Sequence, residues 1–362
     1  FLVDPTSRAI TSAGPQVVAR ASRLLGDLVT GEFNTCQIEM RTPPHSTAAR
    51  LHEDLVRARK AAASAAQQEG LRLCAAGMPI IGAGQITDIG DNPRYQASIE
   101  RYRTMMEDFA LSALHVHIQV PNKQEAALVA NHLRPWLPLL VALTANSAIY
   151  DGRDTEYASW RSIIRSRFPC LGPPPYVDSM EHYEQLAAAM FASGAMPVEG
   201  LPFWDIRPHP RLPTLEIRSM DVPADVEDTV AVTVLIRALV TTSLNLVRRG
   251  VPGPRPCGEL LRAAYWRAAR DGWFGSGFDA LTGRLLPTPA QAEGLVKHVR
   301  DALVNHGDLE IVTAFLDRLA VSGTGADQQR GAAQRGGPPA AVDELIALTA
   351  SSSRELLHQT AQ

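Results

Sequence analysis

Two short runs with ionisable residues at alternate positions constrain this chain more than any other feature of it. One is Leu114-His115-Val116-His117-Ile118; the other is Thr214-Leu215-Glu216-Ile217-Arg218. Successive side chains of a strand point to opposite faces, so residues i and i+2 share one. Each run, read as a strand, carries two ionisable groups on one side and apolar Val116 and Ile118, or Leu215 and Ile217, on the other. Such strands belong in a sheet with one covered face and one open face. Two imidazoles, a carboxylate and a guanidinium can bind a divalent metal and the phosphates it bridges, which points to an active-site sheet that handles ATP. A plainer reading stands beside this one. A His-x-His strand can be structural, and Glu216 with Arg218 can be an ion-paired sheet face.

The rest of the chain fits around such a sheet. Its 362 residues are 45% hydrophobic and 20% charged, enough apolar material for a sizeable core. A net charge of −3 gives no electrostatic reason to expect nucleic acid or an anionic membrane as partner. No apolar run reaches the roughly 18 residues of a spanning helix, and the most apolar stretch, 136–145, reads as a buried helix. Cys36, Cys74, Cys170 and Cys257 are scattered without metal spacing, which fits reduced thiols and a cytoplasmic location. Helical spacing marks 15–29, 46–68, 94–109, 123–147 (interrupted near Pro135), 157–167, 180–192 and 225–247. Strands are expected at 35–41, 71–76, 112–120, 203–207 and 213–220, and a glycine-rich loop at 77–92. The Gly-, Gln- and Ala-rich segment 322–339 reads as a mobile loop. Strands before residue 220 and helices after it predict α+β layering: one domain over 1–362, with a sheet core over about 1–220 and a mostly helical part over 225–362.

Other residues could join the chemistry. Glu32 and Glu39 bracket an otherwise uncharged segment, and Glu39 sits between Ile38 and Met40, where a buried carboxylate needs a partner or a metal; an edge strand facing water is the alternative. Arg161, Arg165 and Arg167 give a short helix cations at helical spacing, either to grip an anion or as a solvated face. Trp204, Asp205 and Arg207 form another strand-like run. Gly77, Gly82 and Gly84 follow a strand but lack the Lys-Ser/Thr of a phosphate loop. Nucleophile elbow, zinc-helix and kinase signatures are missing from the sequence. Carboxylates, histidines and arginines on separate strands fit metal-assisted phosphoryl transfer, where positioning and charge neutralisation dominate.

Taken in order, these segments resemble the carboxylate–amine ligase family known as glutamate–cysteine ligase type 2, of the glutamine synthetase-like superfamily. The matching pieces are Glu32 with Gln37-Ile38-Glu39, Asp91-Asn92-Pro93-Arg94-Tyr95, Leu114-His115-Val116-His117 and Ala145-Asn146-Ser147. They continue through Asp151-Gly152-Arg153-Asp154, Tyr157-Ala158-Ser159-Trp160-Arg161, Gly172-Pro173-Pro174-Pro175, Trp204-Asp205-Ile206-Arg207-Pro208 and Thr214-Leu215-Glu216-Ile217-Arg218 with Asp221. They span residues 1 to about 245; the helical C-terminal part matches loosely.

The resemblance implies a curved, mainly antiparallel glutamine synthetase-like sheet with helices packed on one face. It implies ATP-dependent amide bond formation, in which a carboxylate attacks the γ-phosphate of ATP and an amine then attacks the acyl phosphate. Glutamate and L-cysteine are the default substrates and ATP the co-substrate. By the same resemblance Glu32, Glu39, His115 and Glu216 would hold Mg²⁺ or Mn²⁺. Arg218, His117 and Arg207 would be catalytic, and Arg94, Ser159, Arg161, Trp204, Arg207 and His117 would contact ATP or substrate. Two other outcomes stay open: a ligase joining another amino acid and amine in specialised metabolism, and a catalytically silent binding protein that keeps the fold. A homodimer is also left open.

The sequence departs from the family in three places. The family's glycine and glutamate cluster on the strand before the position of Phe1 are absent, and a chain that starts further upstream is the expectation. Gly77-Met78-Pro79 stands where the family has Gly-Thr-His-Pro. Gln119 replaces the glycine that commonly follows the His-x-His strand.

Overall fold

The structure, a computed structural model, describes residues 1–85 and 88–351. At its centre lies a three-stranded antiparallel sheet in the order Ile206–Pro208, Thr214–Asp221, Ala113–Gln119. The register sets Glu216 opposite His117 on one side and opposite Arg207 on the other. The two strands first singled out are therefore direct neighbours, with their ionisable side chains on one face.

The other face is covered. Val116, Leu215, Ile217 and Ile206 pack in one core with helices Lys123–Leu133, Leu137–Leu143, Val226–Arg248 and Thr288–His306. Each fully buried Leu or Ile there contributes about 1.5–3 kcal/mol. The helices begin where local chemistry allows. The Asn122 side chain accepts from Glu125 N at 2.8 Å and that of Asp225 from Glu227 N at 2.6 Å, each satisfying a backbone donor that a helix start leaves free. Pro135 interrupts the first of these helices as expected, leaving a short 3₁₀ turn at Arg134–Trp136.

Two apolar stretches, Lys123–Leu143 and Val226–Arg248, reach spanning length and composition, which the sequence reading had ruled out. Their most apolar windows are 83% and 56% buried inside the protein, because they cover the sheet. A second unit of packing lies at the N-terminal side. The hairpin Val29–Gly31/Ile38–Met40 sits against helices Gly14–Leu25 and Ala48–Gln68, whose Ala58, Ala61, Ala62, Ala65 and Ala66 allow close approach.

Segment 322–339 departs from expectation. Its residues lie mostly in the helix Gly325–Ala350, which kinks at Gly336 and Gly337, where φ is +73° at Gly337. The small residues are a packing surface. Ala326, Gln329 and Ala332 are buried, and Gln329 Nε2 donates to the backbone and side-chain oxygens of Asn146 at 2.8 and 2.9 Å. A Cβ on Gly325 would fall 2.2 Å from Asn146 Oδ1, so only glycine permits this approach. The C-terminal part also contains a hairpin, Ser276–Asp279/Arg284–Pro287, which the helical reading did not anticipate. Residues 86–87 of the expected glycine-rich loop lie outside the described residues.

Candidate active site

The open sheet face is organised by Glu216, whose side chain is 3% exposed. Arg207 grips its carboxylate from the adjacent strand, Nε to Oε2 at 2.7 Å and Nη2 to Oε1 at 3.2 Å. Arg218 Nη1 lies 3.5 Å and His115 Nδ1 3.7 Å from Oε1. Burial alone would raise this carboxyl; the charges of Arg218, His115 and Arg207 overcome it and bring it down to about 2. Burial, together with Arg207, lowers the Arg218 guanidinium to about 9. Arg218 stands over the Phe203 ring at 5.6 Å, and its Nε is buried without a partner among the described residues.

The histidines differ in surroundings. About a third of His115 reaches solvent, yet burial of the ring and the adjacent Arg218 hold its pKa well below the ordinary value. It is neutral at pH 7, the form that ligates metals. His117 Nδ1 lies 3.2 Å from Thr214 Oγ1, and burial also lowers its pKa.

Glu32 and Glu39 come from the N-terminal hairpin. Thr30 Oγ1 donates to Glu39 at 3.1 Å and Phe33 N to Glu32 at 2.8 Å. Burial and the neighbouring Glu39 raise the Glu32 carboxyl, while Arg218 and Arg94 oppose the rise. Glu32 therefore sits within electrostatic reach of Arg218. His115, His117, Arg207, Glu216 and Arg218 share the sheet face. Glu32, beside Glu39, is within reach of Arg218 and of Arg94, which is exposed at the start of helix Pro93–Tyr102.

Three expected contact residues are placed elsewhere. Arg161 is 1% exposed, and its Nη1 and Nη2 donate to the backbone oxygens of Ser219 and Arg218 and to Asp221, while its Nε is buried without a partner among the described residues. Ser159 caps the helix Trp160–Ser166 and donates to Asp221 at 2.9 Å. Trp204 is buried edge-on against Tyr183. The basic helix is neither a solvated face nor an open anion grip. Arg165 pairs with buried Asp205 and Arg167 with Asp108.

Two residues of the neighbourhood had been given no role. Tyr95 packs edge-on against Phe33, which follows Glu32, at 4.9 Å between ring centroids, and burial and the charge of Glu32 push its phenol up to about 12. His209 meets His117 at 5.4 Å between ring centroids, and its Nδ1 accepts from Leu212 N at 2.9 Å, so Nε2 carries the proton. Tyr95 belongs to a motif quoted above, so a signal existed for it; His209 lies in a turn whose geometry the sequence does not carry.

The donor chemistry suits a hard divalent ion in part. Glu32 and Glu39 are neighbouring carboxylates whose repulsion a cation would relieve, and neutral His115 can ligate. Glu216 already has both oxygens on Arg207. Among the described residues, no three His, Cys, Asp or Glu side chains stand ready-assembled around a metal position. A cavity of ≈ 200 Å³, lined by Asp228, Arg318 and the start of the last helix, lies away from this chemistry.

Residues 1–348 match the pattern of the family described as Glutamate-cysteine ligase family 2. The chain belongs to that family. A Mycolicibacterium vanbaalenii protein named "Putative glutamate--cysteine ligase 2-2" is 39% identical over 98% of this chain and 96% of its own length. A Nocardia farcinica protein named "Putative glutamate--cysteine ligase 2-1" is 40% identical over 91% of this chain and 85% of its own. Among solved structures, a bifunctional glutathione synthetase from Pasteurella multocida superposes with a TM-score of 0.66 at 15% identity, over 96% of this chain and 50% of that one. At that identity the likeness shows a shared fold of mixed helix and sheet, and this chain spans about half the length of that protein.

Proposed function

We infer that the open sheet face performs ATP-dependent carboxylate–amine ligation, with glutamate and L-cysteine as the default pair and the whole chain as one catalytic unit on a glutamine synthetase-like sheet. One observation carries this reading: on the open sheet face the Glu216 carboxylate is gripped by Arg207 and flanked by Arg218 and His115, with Glu32 within electrostatic reach of Arg218 and Arg94. A carboxylate and ATP repel each other, so a ligase needs concentrated positive charge held without mobility. Arg207 is fixed by its two bonds to Glu216 and by a third to Pro202 O at 2.9 Å. Arg218 lies over the Phe203 ring with Nη1 3.5 Å from Glu216, a held guanidinium suited to phosphate oxygens.

Glu32, Glu39 and His115 would hold Mg²⁺ or Mn²⁺, flanked by Glu216. When bound, that ion supplies further charge neutralisation at the phosphates. His117 lies next along the same strand face and extends the phosphate-facing edge. In the reaction the substrate carboxylate oxygen bonds to the γ-phosphorus as ADP leaves. The amine nitrogen then bonds to the acyl carbon, releasing phosphate and losing one proton.

Another amino acid and amine form a second reading of the substrates, favoured by Met78. This side chain is 0% exposed, so the segment that carries a histidine in the family contributes an apolar core residue here. Hydroxylamine trapping tests the ligation chemistry. Hydroxamate should form only when ATP, Mg²⁺ and a carboxylate substrate are all present, and hydroxamate formed without ATP would contradict acyl phosphate formation.

A further inference from the structure

Strand Thr214–Asp221 has a parity problem. Alternation would put residues 216, 218 and 220 on one face, yet Glu216 and Arg218 lie together on the open face while Met220 is fully buried with Leu215 and Ile217. The pairing explains how. Ile217 lies opposite Val116 and Met220 opposite Leu114, so Arg218 and Ser219 together oppose the single residue His115. This is a β-bulge, which inserts one residue, re-aims a side chain and resets the alternation beyond it.

A bulge also leaves backbone groups outside the ladder, and buried carbonyls need partners. Arg161 supplies them. Its Nη2 donates to the Arg218 carbonyl at 3.4 Å and its Nη1 to the Ser219 carbonyl at 3.0 Å, with Asp221 Oδ1 at 3.4 Å behind. Asp221 is itself held by Ser147 Oγ at 2.6 Å, Ser159 Oγ at 2.9 Å and Asn146 N at 2.9 Å. On the other edge, Arg218 N donates to Asp205 O at 2.8 Å.

We propose that Arg161 is a positioning residue for Arg218: its forked guanidinium, backed by Asp221, holds the two bulge carbonyls and thereby fixes Arg218 in place beside Glu216. The proposal rests on the ligase reading for its kinetic consequence and on the bulge geometry for its structural one. A lysine keeps the charge but offers a single point donor that cannot span two carbonyls and a carboxylate in one plane.

The test uses the full chain with Arg161→Lys, Arg218→Ala and the double variant, following phosphate release from ATP, thermal unfolding, and hydrogen exchange over residues 215–222. Arg161→Lys should lower kcat about 10- to 100-fold with a smaller change in KM, the scale expected from misplacing a charged group by roughly 1 Å. It should accelerate exchange at 218–220 and leave helix Val226–Arg248 unchanged. With Arg218 already removed, adding Arg161→Lys should lower kcat by less than about twofold, while its effect on the melting temperature persists. A purely structural arginine gives multiplied kcat losses in the double variant, and that result, or unchanged kcat in Arg161→Lys, overturns the proposal. Should Arg161→Lys fail to fold, Arg161→Met with Asp221→Asn, which removes both buried charges together, takes its place in the same cycle. A wild-type chain that releases no phosphate refutes the ligase reading. The exchange measurement then decides the bulge alone, with unchanged exchange at 218–220 overturning it.

Discussion

Replacing Glu216 by glutamine probes both the energetics and the chemistry of the open sheet face. The carboxylate is buried, held by two bonds from Arg207 and flanked by Arg218 and His115. A carboxyl at about 2 instead of the ordinary 4.5 corresponds to roughly 3 kcal/mol at ~1.4 kcal/mol per pH unit. Glutamine keeps an oxygen for Arg207 but leaves two arginines buried without a counter-charge, so a loss of about 3 kcal/mol at pH 7 is expected. The folded-state value lies below the unfolded one. The stabilisation is therefore complete above about pH 4.5 and is lost as pH falls through about 2. At pH 3 roughly half should remain, so the gap between wild type and Glu216→Gln should shrink to about 1.5 kcal/mol. Urea unfolding of both proteins at pH 7 and pH 3 measures this. A gap below about 1 kcal/mol at pH 7, or an equal gap at both pH values, refutes the reasoning. The variant should still unfold cooperatively and have no ligase turnover.

His115, kept neutral by burial and Arg218, should show no change in its imidazole NMR signals between pH 8 and pH 6; a midpoint near 6.5 would contradict this. Burial holds the Cys36 and Cys74 thiols near about 11, whereas Cys257 is exposed. Alkylation of the native protein at pH 8 followed by mass spectrometry should label Cys257 and spare the other two; labelling at equal rates counts against the packing. Gly77→Ala would place a Cβ 2.8 Å from Asp221 Oδ2 and should cost about 1–3 kcal/mol in denaturant unfolding. Unaltered stability would mean that the Asp221 network is not tightly packed there.

Strand faces were the most legible part of the sequence, because a period of two requires only neighbouring residues. His115 with His117 and Glu216 with Arg218 share a face as the alternation predicted, and the plainer reading of Glu216 with Arg218 also holds, since Glu216 is ion-paired with Arg207 and Arg218. Arg161 and Ser159 were misplaced for a definite reason. Their partner Asp221 lies about sixty residues along the chain, and the bulge that needs Arg161 breaks the alternation without leaving a pattern in composition. Segment 322–339 was misread because glycine, alanine and glutamine signal disorder when water surrounds them and close packing when a helix uses them as a contact surface. Only tertiary contact, here Gln329 on Asn146, separates the two. Helices covering the sheet were legible from apolar spacing. Whether such stretches lie in a membrane or in a protein core is decided by what covers them.

The central claim is that the open sheet face around Glu216 joins a carboxylate to an amine at the expense of ATP. Phosphate release by the purified chain, measured across a panel of amino acids and amines, tests it most directly. Release should require ATP, Mg²⁺, a carboxylate and an amine together, should be highest with one carboxylate–amine pair, and should disappear in Glu216→Gln. Phosphate release that is indifferent to the carboxylate and the amine, or that survives unchanged in Glu216→Gln, contradicts the claim.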